Sequence, residues 1–421
     1  MKSVLLEDNQ HWIKNDAYDS FVNREILSKA VSFLDTKEIV ALIGARRVGK
    51  STIAKLMIKE LLKTTQAKNI FFINLEKPEF IPYKHDATYL NNIYDEYLKI
   101  ADPDMSKKIY FFIDEVQIFE NWEVFIKSKF ENSNIKFIIT GSNSSLLTSN
   151  YATLLTGRVL KLKIDSFNFK EYLNYKDIKY LTLLDQTANR IEISRAKDEY
   201  LKWGGYYSVI SNDDEIIKKE QLKNIAEDII LKDIVPRYKI KNSLAIKDLF
   251  YYVISNATTT INYAKLAKKI NIDAKMIKEY IGYFEDNFLI STISMYHNKL
   301  TEQIKSSKKL YISDNGFLNL GIKRSENIGN ALENLVFIVL NQKNENITYI
   351  KDTYEIDFFD TNSLIQVSYN IEDDKTKKRE LNAFKYFEKI SKQCLLVTYD
   401  VNESIDNVHV VSIDNLIFNE L

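Results

Sequence analysis

One short stretch constrains the fold of this 421-residue chain more than any other: GARRVGKS, residues 44–51. It follows the apolar run EIVALI and opens the amphipathic pattern STIAKLMIKELLK, so a glycine-rich turn joins a buried strand to a helix. In the pattern G-x-x-x-x-G-K-[ST], backbone N–H groups at a helix N-terminus face phosphate oxygens. We predict that the phosphate-binding segment consists of Gly44, Ala45, Arg46, Arg47, Val48, Gly49, Lys50, Ser51 and Thr52.

Two side chains of this segment have specific chemistry. Lys50 is expected to reach the β and γ phosphate oxygens of ATP, and the hydroxyl of Ser51 is expected to bind Mg²⁺. The run IYFFIDE then carries Asp114 to the carboxyl end of a strand, where open α/β sheets bind ligands. We predict that Asp114 completes the Mg²⁺ site and that Glu115 deprotonates the attacking water, although an acidic pair at a strand end can also be simply solvated.

Two further residues are candidates for catalysis. Ser142 follows the strand pattern IKFIITG, and it or Asn143 can sense the γ phosphate, unless Ser142 only caps the next helix. Arg158, in TGRVLKLKI, lies between a helix and a strand. It can act as an arginine finger on a neighbouring subunit of a homo-oligomer, or as an ordinary partner of a helix C-terminus.

The arrangement of strands and helices predicts an α/β fold with a parallel sheet in the first part of the chain. Apolar strands alternate with amphipathic helices there, which indicates a sheet covered on both faces. At roughly 150 residues per domain, the length suggests about three domains. We predict an ATP-binding domain at 1–175, a helical lid or linker at 176–244, a winged-helix segment at 245–315 and a smaller α/β domain at 316–421.

Composition narrows the environment and the partners. No run approaches the 18 apolar residues of a membrane span, and the N-terminus lacks a signal-peptide core, so we expect a cytoplasmic protein without a membrane partner. A single cysteine, Cys394, excludes a disulfide framework and a cysteine-based zinc site. The formal net charge of zero argues against a general electrostatic grip on nucleic acid, so DNA binding would need a local patch.

The predicted winged helix offers such a patch. Its third helix exposes Lys275 and Lys278, and KSSKK at 305–309 adds charge near a hairpin formed by FLISTISMY and KKLYISD. Between Ala245 and Leu300 the lysines exceed the acidic residues only slightly, and no arginine is present to contact guanine. Two alternatives therefore stay open for this segment, modest binding to DNA and packing against a protein partner.

Together, GARRVGKST, FFIDEVQ, ITGSNSSLL and LLTGRVLKLKI resemble the AAA-type P-loop ATPases of bacteria and archaea that carry a C-terminal domain of unknown function. The resemblance continues through YLKWGGYY, KDIVPRYKI, KKLYISDNG, ALENLVF, YEIDFF and IQVSY, and so covers nearly the whole chain. It implies an ATPase core, a winged-helix segment and a restriction-endonuclease-like C-terminal domain. It implies no substrate.

The stretch YEIDFFDTNSLIQVSY, residues 354–369, reads as two strands across a turn and raises the question of a nuclease centre. Endonuclease-like folds hold metal with an acid on the first helix, an aspartate at a strand start, and an acid or glutamine two residues before a lysine on the next strand. Glu333, Asp357 and Gln366 match the first three of these positions. The activating lysine is replaced by Ser368, and glutamine is a weaker metal ligand than a carboxylate. We expect an inactive or binding-only remnant; the alternative is an active site completed by another lysine, such as Lys351.

The sequence thus favours a Mg²⁺-dependent ATPase whose nucleotide state moves the winged-helix and nuclease-like parts on DNA or a protein partner. A slowly hydrolysing, ATP-gated switch or adaptor is the main alternative. An active metal-dependent nuclease is the third.

Overall fold

The computed structural model describes residues 1–14, 16–86, 88–144, 152–322, 328–344 and 346–419. The chain forms two compact units, Met1–Asp165 and Ser166–Leu421. Within the described ranges, none of the helices combines the length and the apolar character that crossing a membrane requires.

The first unit is built on a five-stranded parallel sheet with the order β2-β3-β4-β1-β5. Its strands are β1 Ile39–Ile43, β2 Ile70–Asn74, β3 Ile109–Asp114, β4 Ile135–Gly141 and β5 Val159–Lys163. Its helices are α1 Lys2–Asp8, α2 Leu27–Ser32, α3 Lys50–Leu61, α4 Tyr89–Ala101, α5 Trp122–Asn132 and α6 Ala152–Leu155. The predicted α/β fold with a parallel sheet is confirmed.

Strand order explains the composition of the strands. β1 and β4 lie inside the sheet and are buried throughout, as apolar strands covered on both faces must be. The pattern VLKLKI, an apolar-strand candidate, forms β5 at the edge of the sheet, where Leu162 is its one buried residue. Ile43 is in register with Gly141, and Ile113 with Ile139. The carboxyl ends of β1, β3 and β4 therefore meet at one edge of the sheet.

The outer edge of β2 is covered by side chains of the N-terminal segment. The Asn9 amide donates to Phe72 O at 2.8 Å and accepts from Phe72 N at 2.7 Å, as a neighbouring strand would. The Trp12 indole N–H donates to Ile70 O at 2.9 Å. These bonds satisfy backbone groups that an edge strand otherwise leaves open.

The second unit begins with a largely helical region. It contains α7 Phe169–Tyr175, α8 Leu183–Ala188, α9 Arg190–Trp203, α10 Tyr207–Ile210, α11 Glu215–Asp228, a π-helical turn Ile229–Ile234, α12 Val235–Arg237, α13 Ser243–Ser255, α14 Tyr263–Ile270 and α15 Ala274–Asp286. The antiparallel strands β6 Ile290–Ser294 and β7 Lys308–Ile312 follow, with α16 Leu300–Lys305 between them.

The helices α13 to α15 and the β6–β7 hairpin appear in the predicted order. Lys275 and Lys278 are exposed, as predicted for the third helix, and Leu266, Ile277 and Phe284 are buried. The identification of this segment as a winged helix stays a prediction.

The C-terminal part contains α17 Ile328–Lys343, β8 Thr348–Lys351, β9 Glu355–Phe359, β10 Ser363–Val367, α18 Asp374–Phe387, β11 Gln393–Thr398, β12 Glu403–Ile405, β13 Val408–Ser412 and α19 Ile413–Phe418. The sheet order is β12-β13-β11-β10-β9-β8, with parallel and antiparallel pairs. The predicted pair of strands across a turn is β9 and β10, which are antiparallel. Restriction-endonuclease-like identity stays a prediction.

The structure divides the chain earlier than the predicted boundary at residue 175. Helix α7 belongs to the second unit, because its Phe169 ring packs 5.5 Å from that of Tyr200 on α9. Asn168 caps α7 by accepting from Glu171 N at 2.8 Å, so a helix begins directly after the division at Asp165. The division into four domains stays a prediction.

Candidate functional site

The loop between β1 and α3 has the backbone that its two glycines permit. A Cβ atom at Gly44 would lie 2.1 Å from Ile164 O, so no side chain fits there. Gly49, directly before α3, has a φ of +99°, which side-chain-bearing residues rarely adopt. Ala45 and Val48, which belong to the loop, have buried side chains. The glycines of the motif are therefore required by close approach and by backbone conformation.

Lys50 lies under this loop with 4% of its surface exposed. Its ammonium donates to Gly44 O at 3.1 Å and to Ala45 O at 2.9 Å. The nearest carboxylate oxygen, Glu115 Oε1, is 3.9 Å away. Because the two close acceptors are neutral carbonyls, most of the buried positive charge stays available to an anion at the loop.

Ser51 and Asp114 are in direct contact, as the metal-site prediction requires. Ser51 Oγ donates to Asp114 Oδ2 at 2.7 Å, and Thr140 Oγ1 donates to Asp114 Oδ1 at 2.6 Å. Burial and then the charge of Glu115 raise the pKa of Asp114 to about 6, against the opposing effect of both hydroxyl groups and Lys50. Hydroxyl and carboxylate oxygens are ligands that Mg²⁺ prefers, so these residues fit that ion.

Glu115 is fixed through its backbone and its side chain. It has a φ of +55°, and its N–H donates to Thr140 Oγ1 at 2.9 Å. Its Oε2 accepts from the Gln117 amide at 2.5 Å, and the same amide lies 3.5 Å from Ser142 Oγ. Thr140 and Gln117 were not predicted from the sequence. Both lie within three residues of a predicted site residue, which is the only signal that the sequence carries.

Ser142 and Asn143 follow β4 at the edge where the phosphate loop lies, with exposed fractions of 1% and 0%. Their position is compatible with the predicted sensor role. The competing interpretation of Ser142 as a helix cap concerns residues 145–151, which lie outside the described residues.

Two arginines connect the phosphate loop to other segments of the first unit. Arg24 is buried and donates to Val48 O at 3.1 Å and to Asp165 O at 2.9 Å, which ties the loop to the segment after β5. Arg46, inside the loop, forms an ion pair with Glu76 at 2.8 Å. Arg24 was not predicted from the sequence, because nothing in its local sequence indicates a contact with a loop more than twenty residues away.

Arg158 lies at the amino-terminal ends of the parallel strands, opposite the edge where the phosphate loop lies. Its carbonyl accepts from Ile39 N at 2.8 Å, at the start of β1, whereas the phosphate loop follows the end of that strand. Five strand residues span roughly 16 Å, so Arg158 is far from the loop of its own subunit. It forms an ion pair with Glu131 at 2.7 Å. A contact with a neighbouring subunit stays a prediction.

The predicted nuclease-like residues come together in the second unit around an unpredicted cation. Lys309 Nζ, on β7, lies 2.8 Å from Glu333 Oε1, 2.9 Å from Asp357 Oδ1 and 3.0 Å from Glu355 Oε1. Burial and then Asp357 raise the pKa of Glu333 to about 7, although Lys309 acts in the opposite direction. Gln366 accepts from Asp357 N at 2.9 Å, so it lies beside the acids.

The alternative lysine of the sequence analysis is placed differently. Lys351 pairs with the outer oxygen of Glu355 at 2.6 Å and is half exposed, so it lies at the rim of the cluster. Ser368 donates to Asn370 O at 2.8 Å. Lys351 was named only as an example for the alternative of an active site. The lysine inside the cluster is Lys309, which had been assigned only to the charge near the hairpin.

Family models and related proteins match this chain over most of its length. The family model of the AAA domain matches residues 36–173, and that of a domain of unknown function, DUF8612, matches residues 194–326. The uncharacterized protein MJ1544 of Methanocaldococcus jannaschii is 34% identical over 376 residues, which cover 86% of this chain and 80% of that protein. This chain belongs to the MJ1544 family.

Another similar protein is an uncharacterized protein of Haemophilus influenzae, 29% identical over 93% of this chain and 97% of its own length. Among solved structures, the Walker-type ATPase of Pyrococcus abyssi aligns with a TM-score of 0.45 and 14% identity, over 72% of this chain and 96% of that one. For this member of the MJ1544 family, the AAA match confirms the AAA-type P-loop fold of the first unit.

Proposed function

We propose that this protein is a Mg²⁺-dependent ATPase. The observation that supports this most directly is the meeting of Lys50, Ser51 and Asp114 at one edge of the sheet, with Glu115 beside them. These residues carry the charges and oxygens that phosphoryl transfer to water requires.

Each residue then has a distinct task. Lys50 leaves the carbonyls of the loop to bind the β and γ phosphates, and Ser51 and Asp114 would hold Mg²⁺. When bound there, the ion would supply positive charge to the transferred phosphoryl group. Glu115 orients the attacking water and accepts its proton, while Ser142 contacts the γ phosphate. In an assembly, Arg158 of one subunit stabilises charge in the site of the next.

The first test is the Lys50→Ala variant, with binding measured by a fluorescent ATP analogue and turnover by phosphate release. We expect neither binding nor turnover, because Lys50 supplies the ammonium that contacts the carbonyls of the loop. Lys59→Ala is the matched control, since Lys59 lies on the same helix and pairs with Asp19 on the surface. Normal binding and turnover in Lys50→Ala would refute the proposed site.

We further propose that the ATPase acts on DNA through α14 and α15. Five exposed lysines occur on these helices, and none forms an ion pair with a described residue; they are Lys265, Lys268, Lys269, Lys275 and Lys278. Of the acids close to them in sequence, Asp273 caps α15 by accepting from Lys275 N at 2.7 Å, and Glu279 directly follows Lys278. In a chain of zero net charge, this local excess is what a phosphate backbone would contact.

A fluorescence-anisotropy titration with duplex DNA tests this partner. Lys275→Ala combined with Lys278→Ala should lower the affinity for all sequences to a similar degree, and the dependence on salt should become shallower. The control replaces Lys219 and Lys223, two exposed lysines of α11. Equal loss in the control would indicate general attraction, and no binding at all would favour a protein partner.

The slow switch or adaptor is the second candidate function. A single-turnover measurement with and without DNA separates it from the ATPase motor. Hydrolysis that stays slow compared with nucleotide release under both conditions would favour the switch.

A further inference from the structure

The nuclease-like cluster does not fit the divalent metal that a restriction-endonuclease-like fold implies. Gln366 accepts from Asp357 N at 2.9 Å, and its amide donates to Glu380 Oε2 at 2.6 Å. If the side-chain oxygen of Gln366 turned toward a metal, it would lose the hydrogen bond from Asp357 N, and the bond to Glu380 would be disturbed as well. The second oxygen of Asp357 accepts from Val367 N at 3.0 Å. The predicted ligands are thus already engaged within the protein.

The centre of the cluster is filled by an ammonium group. Lys309 has 3% of its surface exposed, and its three N–H groups face three carboxylate oxygens within 3.0 Å. Glu333 Oε1 also accepts from the Tyr311 hydroxyl at 2.9 Å. A divalent ion bound by the same oxygens would lie within a few ångströms of the ammonium, where repulsion is large in a buried site. Among the described residues, no group of three or more acids, histidines or cysteines has the arrangement of a metal site.

The same region joins the β6–β7 hairpin to the C-terminal sheet. Tyr296, just after β6, donates its N–H to Tyr349 O on β8 at 2.7 Å. The hydroxyl groups of Ser307 and Tyr349 lie 3.0 Å apart. Lys309 belongs to the hairpin, whereas Glu355 and Asp357 belong to β9 of the sheet. The ion cluster therefore spans this junction.

We infer that Lys309 is a built-in cation that takes the place of a catalytic metal, and that the acidic cluster fastens the hairpin to the C-terminal sheet and does not cleave DNA. A consequence is that removing the ammonium takes away the cation that contacts the buried carboxylates of Glu333 and Asp357. Lys309→Ala should then acquire a site for a divalent ion that the wild-type protein lacks.

Binding of Mn²⁺ to the full chain, measured by electron paramagnetic resonance without nucleotide, tests this inference. We expect Lys309→Ala to bind one more Mn²⁺ than wild type, and the added site to disappear when Glu333→Gln is combined with it. Lys351→Ala is the matched control, because its ammonium touches Glu355 only from the rim, and it should gain no site. Mn²⁺ bound in the wild type and lost in Glu333→Gln would overturn the inference.

Thermal unfolding covers the case in which Lys309→Ala is too unstable to titrate. Mn²⁺ should then raise its unfolding temperature or allow it to fold, with little effect on wild type. A variant that Mn²⁺ does not stabilise would count against the inference. A plasmid-nicking assay completes the test: we expect no cleavage by wild type with Mn²⁺ or Mg²⁺, and cleavage that Glu333→Gln abolishes would refute it. None of these outcomes depends on ATP hydrolysis at the phosphate loop.

Discussion

The side-chain amide of Gln117 donates a hydrogen bond of 2.5 Å to Glu115 Oε2, the carboxylate proposed as the general base. The same amide lies 3.5 Å from Ser142 Oγ, the proposed sensor of the γ phosphate. Gln117 therefore connects the proposed proton acceptor, Glu115, with the proposed nucleotide sensor, Ser142.

Replacing Gln117 by leucine removes this bond and keeps a side chain of similar length. We expect turnover to fall by about tenfold, the equivalent of one hydrogen bond to a charged group, with ATP affinity nearly unchanged. Separate measurements of turnover and of nucleotide affinity distinguish this outcome from damage to the loop, which would weaken binding as well.

Glu115→Gln retains the shape of the side chain and removes the base. We expect ATP binding to persist while hydrolysis falls by on the order of a hundredfold or more. Phosphate release under saturating ATP measures the effect. Unchanged turnover would place the base elsewhere.

Arg158→Ala tests the finger in trans. Specific activity of the wild type should rise with protein concentration until assembly is complete, and the variant should bind ATP without hydrolysing it. Mixing it with Glu115→Gln should restore some activity, because a mixed interface combines an intact base with an intact arginine. If Arg158 serves only its pair with Glu131, mixing will recover nothing.

Asp114→Asn should change how the free energy of unfolding depends on pH. Because the folded pKa of Asp114, about 6, lies above its ordinary 3.8, the protonated carboxyl stabilises the fold fully below about pH 3.8, and this contribution disappears as pH rises through about 6. At about pH 7.5, without Mg²⁺, the variant should be more stable by on the order of 1–3 kcal/mol. Urea unfolding measures this. A gain that persists at about pH 4 would contradict the explanation.

The sequence could predict those parts of the site that belong to a local motif or to the end of a strand. Lys50 and Ser51 follow a turn motif, and Asp114 ends an apolar strand, so parallel pairing alone brings them to one edge. Thr140 enters the site through the register of β4 on β3. Arg24 and Lys309 reach their partners across long separations in sequence, and neither has a neighbourhood that distinguishes it from an ordinary surface cation. Tertiary packing decides such contacts.

The N-terminal segment covers the outer edge of β2, and this has a practical consequence. The AAA family match begins at residue 36, well after Asn9 and Trp12. A protein shortened to the matched range would expose a buried apolar strand whose backbone donors and acceptors are open along one side. Such a fragment would tend to pair with copies of itself and aggregate, and it would also lack the Arg24 contact that holds the phosphate loop.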